Sequence, residues 1–202
     1  KTESPWGILG RVSGQKSVLE FRHCNLSLDI LERVNLFGSW NQTQVREGYE
    51  LLISAVLATD MAMHNTVVAK FEAMLPDGID SFDPEEFEHR AMVGGLVMKA
   101  ADISNVAKPF AVARNWATVV TREFYTQGDL ERALSLPIIS TCDRTLNAPL
   151  AKGQLGFINF FVDPYFDLLV VESKIFPEMQ WCVDNIADNV ERYQAELNAE
   201  KA

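Results

Sequence analysis

The sequence predicts an all-α domain, and three features of it support this prediction. Apolar residues recur at the three- and four-residue spacing of amphipathic helices along most of the 202 residues. No segment shows the alternation of apolar and polar residues that a half-buried strand requires. The sequence has no internal repeat and no low-complexity linker. With 48% hydrophobic residues the chain can bury one core, so residues 1–202 are expected to form a single compact multi-helix domain.

Three helices are predicted in the first half of the chain. Apolar spacing places amphipathic helices over residues 18–31 and 45–57. The next helix is expected to begin at Asp83, whose carboxylate can cap it, with Pro84 in the first turn. That helix carries an apolar run to Asp102.

A long helix is predicted over residues 110–127, ended by Gly128 and Asp129. At 3.6-residue spacing, six of its residues share one side, which is expected to face the core. They are Val112, Trp116, Val119, Val120, Glu123 and Phe124.

The last part of the chain is predicted to be a loop followed by three helices. Residues 136–149 contain prolines and are expected to form an ordered loop. Residues 150–161 return to helical spacing, Pro164 is expected to start another helix, and residues 178–197 form a closing amphipathic helix.

Composition limits the kind of partner and the compartment. A net charge of -10, with lysines and arginines scattered singly, argues against a nucleic-acid groove or an anionic membrane surface. The three cysteines, Cys24, Cys142 and Cys182, form no C-x-x-C pair and fit a reducing compartment. We find no signal-peptide pattern and no apolar run approaching the roughly 20 residues of a membrane span, so a cytoplasmic location is expected.

The first candidate for chemistry is Asp102, which follows an apolar run. A hard divalent ion prefers carboxylate oxygen, and such an ion could supply the positive charge that an acidic chain needs to handle an anionic ligand. A simpler interpretation is an ion pair with Lys99, one helical turn away.

The second candidate is the pair Gln154 and Phe157, three residues apart on a predicted helix. A glutamine amide offers both a donor and an acceptor, which suits the edge of a purine. The simpler interpretation is a surface glutamine beside a core phenylalanine.

Several segments together resemble the second half of a class I 3',5'-cyclic-nucleotide phosphodiesterase catalytic domain. They are residues 17–24, 58–64, 99–105 (Lys-x-Ala-Asp-Ile-Ser-Asn), 127–129 (Gln-Gly-Asp) and 151–158. The resemblance implies an all-α fold of the HD/phosphodiesterase type. It also implies hydrolysis of cyclic AMP or cyclic GMP to nucleoside 5'-monophosphates in signal transduction, with two divalent ions, Zn²⁺ and Mg²⁺ or Mn²⁺.

The resemblance also implies roles for single residues. Asp102 would join the coordination shell of both metals. Gln154 would hold the purine and Phe157 would stack on it, while Val120 and Phe124 would line the opposite side of the base. For Val120 and Phe124, plain core packing remains an alternative.

Four further residues match family positions with simpler alternatives. Asn105 would approach the base, or it is an ordinary residue at a helix C-terminus. Met61 would face the metal and ribose side of the pocket, or it fills the core. Glu20 would hold metal-bound water without touching the ion, or it is a solvated helix residue. Asp129 is interpreted as structural, a cap for the following turn.

The sequence lacks the family's His-Asn-x-x-His motif and its later His-Asp pair. None of its three histidines, His23, His64 and His89, matches a metal-binding or proton-donating position. We therefore expect no catalytic residue in this chain, which should be the C-terminal portion of a catalytic domain and inactive by itself. Two alternatives are a catalytically silent purine-nucleotide-binding module and a helical interaction domain. Asn105 slightly favours cyclic AMP, and a homo-oligomer is left open.

Overall fold

The computed structural model describes residues 16–146 and 148–200, and helices form all the regular secondary structure in these ranges. The all-α prediction is therefore confirmed. Internal contacts divide the chain into two compact units, Lys1–Asp102 and Ile103–Ala202. The single domain expected over residues 1–202 remains a prediction.

The described part of the first unit, residues 16–102, contains four α-helices: α1 (Val18–Arg33), α2 (Gln42–Ala58), α3 (His64–Met74) and α4 (Phe87–Asp102). Helix α2 packs along α4, and α1 packs on α2. A reciprocal pair of hydrogen bonds starts α2: the Gln44 amide N–H donates to Asn41 Oδ1, and the Asn41 amide N–H donates to Gln44 Oε1, each at 3.0 Å. This capping box fixes the register in which α2 presents its apolar side to α4.

Helix α4 begins at Phe87, so the predicted start at Asp83 is wrong. Asp83 Oδ1 accepts the amide N–H of Glu85 at 2.9 Å and so caps a separate turn. The Arg90 guanidinium then donates to the carbonyl oxygen of Pro84 at 2.7 Å. These side-chain contacts satisfy the backbone groups of the turn and let the helix begin later.

The second unit contains α5 (Phe110–Ala133), α6 (Leu150–Phe157), α7 (Asp163–Asp167) and α8 (Gln180–Ala199). Helix α8 is the closing helix predicted over residues 178–197. Pro164 lies in the first turn of α7, but the π-helical segment Ile158–Val162 precedes it without a break. The ring of Pro164 removes one backbone donor, and the wider π turn accommodates that loss.

Gly128 and Asp129 do not end α5, which continues to Ala133. A Cβ atom on Gly128 would overlap the carbonyl oxygen of Cys142, which belongs to the loop after the helix. Gly128 therefore allows a close approach of two backbone segments, and helical hydrogen bonding outweighs its weak intrinsic helix propensity.

The predicted core-facing side of α5 is also wrong. The apolar side chains of Val112, Trp116, Val119 and Phe124 are 42% to 50% exposed, and Glu123 is exposed, while Val120 is half-buried. The buried positions are instead Ala113, Ala117 and Gly128. Because α5 packs on α8 and on the short helices Ser104–Ala107 and Ser140–Cys142, only small side chains fit between these segments.

The predicted loop contains two short 3₁₀ helices, Ser140–Cys142 and Arg144–Leu146, and ion pairs hold it to α5. Arg144 Nε donates to Asp129 Oδ1 at 3.0 Å, and Arg132 Nη2 donates to Asp143 Oδ1 at 2.6 Å. Asp129 thus anchors the loop from within the helix, and its interpretation as a cap is wrong.

The expectation that no apolar run approaches the length of a membrane span is wrong for the helical run Leu150–Glu172. It has 23 residues and a mean hydropathy of 1.2 in its most apolar window. However, 44% of that window is buried within the fold. Core helices of folded domains satisfy the same length and composition criteria, so these values by themselves are weak support for a span.

Candidate functional site

Asp102 is the last residue of α4, and its side chain is exposed. The carboxylate of Asp102 is therefore not in an apolar environment, although an apolar run precedes it. The alternative ion pair with Lys99 is not formed either, because Lys99 Nζ donates to other acceptors. Asp102 is open to a ligand from outside the described residues.

Lys99 is completely buried in α4, at 0% exposure. Its Nζ lies 3.3 Å from the carbonyl oxygen of Ala58, 3.5 Å from that of Asp60 and 3.7 Å from Met61 Sδ. Burial lowers the pKa of the Lys99 ammonium group, and the carboxylates of Asp102, Asp60 and Glu20 oppose this shift. Three carboxylates therefore lie within electrostatic range of one buried cation.

The turn between α2 and α3 carries Met61, which is half-buried. Asp60 caps the short helix Met61–Met63, since its Oδ1 accepts the amide N–H of Ala62 at 2.8 Å. Its Oδ2 accepts the hydroxyl of Ser17 at 2.7 Å, which links the turn to the start of α1. Glu20, on the first turn of α1, is half-buried. The first unit thus gathers Met61, Glu20 and Asp102 around Lys99.

The described residues alone do not fit a metal centre. Within them, no group of three or more His, Cys, Asp or Glu side chains could hold an ion. Asp102 offers one carboxylate, and both oxygens of Asp60 already accept hydrogen bonds. His64 is buried, and its pKa is lowered by burial and by the charge of Lys99. One free carboxylate is too few ligands for a divalent ion, so ligands from outside these residues are required.

Gln154 Oε1 is a buried oxygen atom with no hydrogen-bond partner among the described residues. Gln154 lies on α6, a helix that also carries Phe157. The ring of Phe157 is half-buried and lies 6.1 Å from the ring of Phe161, centroid to centroid, tilted by 42°. A buried amide oxygen without a partner is uncommon in folded proteins and calls for a donor from elsewhere.

The helix that carries Gln154 has open space on one side. Helix α6 packs on α5, which carries Val120 and Phe124. A Cβ atom on Gly153 or on Gly156 would meet nothing within 4 Å. One side of α6 is therefore uncovered next to the two residues assigned to the purine.

Asn105 lies beyond the end of α4, in the 3₁₀ helix Ser104–Ala107, and is half-buried. Nearby, Asn189 holds this segment in place, because its amide donates to the carbonyl oxygens of Val106 at 2.7 Å and Lys108 at 2.8 Å. The position of Asn105 is thus fixed by a buried side chain of α8 that the sequence analysis did not consider.

A cavity in the described residues lies apart from all the predicted site residues. It has a volume of about 250 Å³ and belongs to the first unit. Its walls come from the turn before α2, from the first half of α2 and from the start of α4. The lining residues are Trp40, Gln44, Glu47, Gly48, Leu51, Phe87 and Arg90. None of these residues was singled out from the sequence.

Sequence reasoning did not identify the structural roles of Lys99, Gly128 and Asn189. A lysine inside an apolar run was a signal of burial, but its spacing from Asp102 suggested a surface ion pair instead. A single asparagine or glycine carries no comparable signal, because its partners are distant in the sequence.

Comparison with known families supports the resemblance seen in the sequence. The sequence model of the family described as 3'5'-cyclic nucleotide phosphodiesterase matches residues 1–186. The mouse high affinity cGMP-specific 3',5'-cyclic phosphodiesterase 9A is 32% identical over 166 residues, which are 81% of this chain and 30% of that protein. Mouse 3',5'-cyclic-AMP phosphodiesterase 4C is 30% identical over 197 residues, covering 94% of this chain and 28% of that protein.

Solved structures agree with these matches. The structure of LmjPDEB1 in complex with IBMX superposes with a TM-score of 0.89 at 40% identity, covering 98% of this chain and 58% of that one. The phosphodiesterase domain of the RhoPDE fusion protein from the choanoflagellate Salpingoeca rosetta gives a TM-score of 0.83 at 30% identity, covering 96% and 61%. The chain thus spans under a third of these two curated relatives and about 60% of the solved chains.

Proposed function

Because the chain belongs to the 3',5'-cyclic nucleotide phosphodiesterase family, we propose that it supplies the purine-binding part of an enzyme that hydrolyses 3',5'-cyclic nucleotides to nucleoside 5'-monophosphates. In this proposal Gln154 holds the edge of the base and Phe157 stacks on its face. Val120 and Phe124 provide apolar contact on the other side of the base.

The unpartnered oxygen of Gln154 carries the proposal. Burial of an amide oxygen without a hydrogen bond costs free energy, by about 1–3 kcal/mol, and the exocyclic amine or ring N–H of a purine could supply the missing donor. Phe157 offers a planar apolar surface on the same helix. The open space beside Gly153 and Gly156 leaves room for a ligand next to this pair.

We propose cyclic AMP as the slightly preferred substrate. Asn105 is half-buried, and its amide could contact the base. The amide of Gln154 has no hydrogen bond among the described residues that fixes its orientation, so it can present either its donor or its acceptor to a purine. Both cyclic nucleotides are therefore expected to bind, with a small difference between them.

Divalent metals are a general requirement of this family. In the proposal the metals are Zn²⁺ together with Mg²⁺ or Mn²⁺, and Asp102 is the ligand that this chain offers. In this proposal the remaining ligands and the general acid come from residues outside this chain, whose sequence lacks both histidine motifs of the family. We also propose a cytoplasmic location, which the free and buried Cys24, Cys142 and Cys182 support.

A second candidate function is purine-nucleotide binding without hydrolysis. It is favoured by the lack of a ligand cluster within the described residues, since the binding residues Gln154 and Phe157 do not depend on a metal. Turnover and binding assays on the same purified protein separate the two functions.

The experiment compares two phenylalanines of one helical run in the complete protein that contains this chain. Phe157→Ala should weaken substrate binding by about 1–3 kcal/mol, because stacking and burial are lost. Phe160→Ala is the matched control, because Phe160 is 78% exposed and its side chain loses little contact. The Michaelis constants for cyclic AMP and cyclic GMP are the readout, and Gln154→Ala should raise both. Equal Michaelis constants for the wild type and Phe157→Ala would show that Phe157 does not belong to the purine site.

A further inference from the structure

We propose that Lys99 is a positioning residue: its buried ammonium group ties the turn that carries Met61 to the helix that ends at Asp102. Through this contact Lys99 fixes the position of Met61 relative to α4. The inference rests on the proposed function, in which Met61 faces the ribose side of the nucleotide and Asp102 is a metal ligand.

The geometry around Lys99 Nζ identifies the turn as its partner. All three acceptors within reach belong to the four residues from Ala58 to Met61: two carbonyl oxygens, at 3.3 and 3.5 Å, and the sulfur of Met61, at 3.7 Å. An ammonium group has three donors, so its hydrogen bonds can be used fully on this one segment. The side chain of Lys99 thus spans from α4 to the end of α2 and the start of the next short helix.

The charges around Lys99 suit a buried cation. Complete burial of an ammonium group is costly unless negative charge lies near it. The carboxylates of Asp102, Asp60 and Glu20 supply this charge from three different segments. None of the three carboxylates accepts a hydrogen bond from Lys99, so they stabilise the ammonium group through charge alone. The N–H groups of Lys99 donate instead to the turn from Ala58 to Met61.

The contact with Met61 distinguishes this arrangement from a purely structural lysine. A thioether is a weak acceptor, and a long flexible side chain such as methionine otherwise adopts several rotamers. The hydrogen bond from Lys99 restrains the Met61 side chain as well as the backbone before it. Loss of the ammonium group should therefore release Met61 and leave the folded core in place.

The test is a double-mutant cycle in the complete protein. Lys99→Met removes the charge and keeps an unbranched side chain of similar length. It should raise the Michaelis constant for a cyclic nucleotide about tenfold, because a displaced contact residue weakens ground-state and transition-state binding. In the Met61→Ala background the same substitution should change the constant by less than about twofold, because the residue through which it acts is gone.

A control and an activity-independent readout complete the test. Met92→Ala, a buried change on the same helix, should lower the melting temperature without raising the Michaelis constant. Methyl relaxation of ¹³C-labelled Met61 should show a more mobile side chain in Lys99→Met and an unchanged one in Met92→Ala. If Lys99→Met does not fold, Lys99→Arg, which keeps the charge but displaces the turn, replaces it in both measurements.

The outcomes separate this inference from the proposed function. Additive effects of Lys99→Met and Met61→Ala, or an unchanged mobility of the Met61 methyl group, would overturn the positioning role. If the complete wild-type protein turns over neither cyclic nucleotide, the proposed function fails, and the methyl relaxation alone decides whether Lys99 restrains Met61.

Discussion

Gly128→Ala tests the close packing between α5 and the following loop. The new Cβ atom would overlap the carbonyl oxygen of Cys142, which is part of the backbone and cannot rotate away. In a helix interior, replacement of glycine by alanine contributes about 1 kcal/mol of stability through helix propensity. The forced separation of two backbone segments should cost about 3 kcal/mol. The free energy of unfolding should therefore fall by about 2 kcal/mol.

Gly153→Ala is the matched control, since a Cβ atom there meets nothing within 4 Å. Propensity alone should then stabilise the protein by about 0.5–1 kcal/mol. Both variants can be followed by thermal and urea unfolding with circular dichroism. For a chain of this size the Gly128→Ala loss corresponds to a decrease in melting temperature of about 4–8 °C. A melting temperature of Gly128→Ala equal to or above that of the wild type would refute the reasoning.

Three further predictions concern charge, pH and the isolated chain. Asp102→Ala should abolish most turnover of the complete protein and leave its helical circular-dichroism signal largely intact, since the side chain is exposed; retained activity with a collapsed melting temperature would contradict this assignment. Burial raises the pKa of Tyr193 to about 12, above the value of about 10 in an unfolded chain, so stability should fall as pH rises from 10 to 12. The Tyr193→Phe variant should lose less stability than the wild type between pH 10 and pH 12, as measured by the urea unfolding midpoints at these two pH values. An equal loss in both proteins would show that the ionisation of Tyr193 is not coupled to unfolding. The isolated chain should show no metal-dependent hydrolysis and should self-associate through exposed side chains such as Trp116 and Leu26, as seen by light scattering. Co-expression with a segment that carries the family's histidine motifs should reverse both effects, and robust hydrolysis by the isolated chain would mean that its own histidines contribute to a metal site.

Helix content and most of the helices could be predicted because they depend on local spacing, but α3 (His64–Met74) was not predicted. The helix ends and buried sides could not, because they depend on contacts between residues distant in the sequence. Asp83 had the chemistry of an N-cap, but its carboxylate was used by a nearer turn. The apolar side of α5 was expected to face the core, yet close packing against its neighbours admits only small residues such as Ala113 and Ala117.

The candidate site shows the same division. Gln154 and Phe157 were chosen from their types and spacing together with the family resemblance, and tertiary structure added that the amide oxygen of Gln154 is buried without a partner in the described residues. The exposure of Asp102 could not be predicted, because an apolar sequence before a helix end does not determine whether that end is covered. The alternative interpretation of Asp102, an ion pair with Lys99, was wrong, since spacing along one helix cannot reveal acceptors from another segment.

The sequence by itself determined the all-α class, the family and the residue types that can contact a purine, because these are properties of local pattern and chemistry. Tertiary structure alone decided that Lys99 is buried against the turn carrying Met61, that Gly128 admits the backbone of Cys142, and which side of α5 is covered. The physical reason is that burial and hydrogen-bond partners arise from segments brought together by folding, and no local pattern encodes their distance.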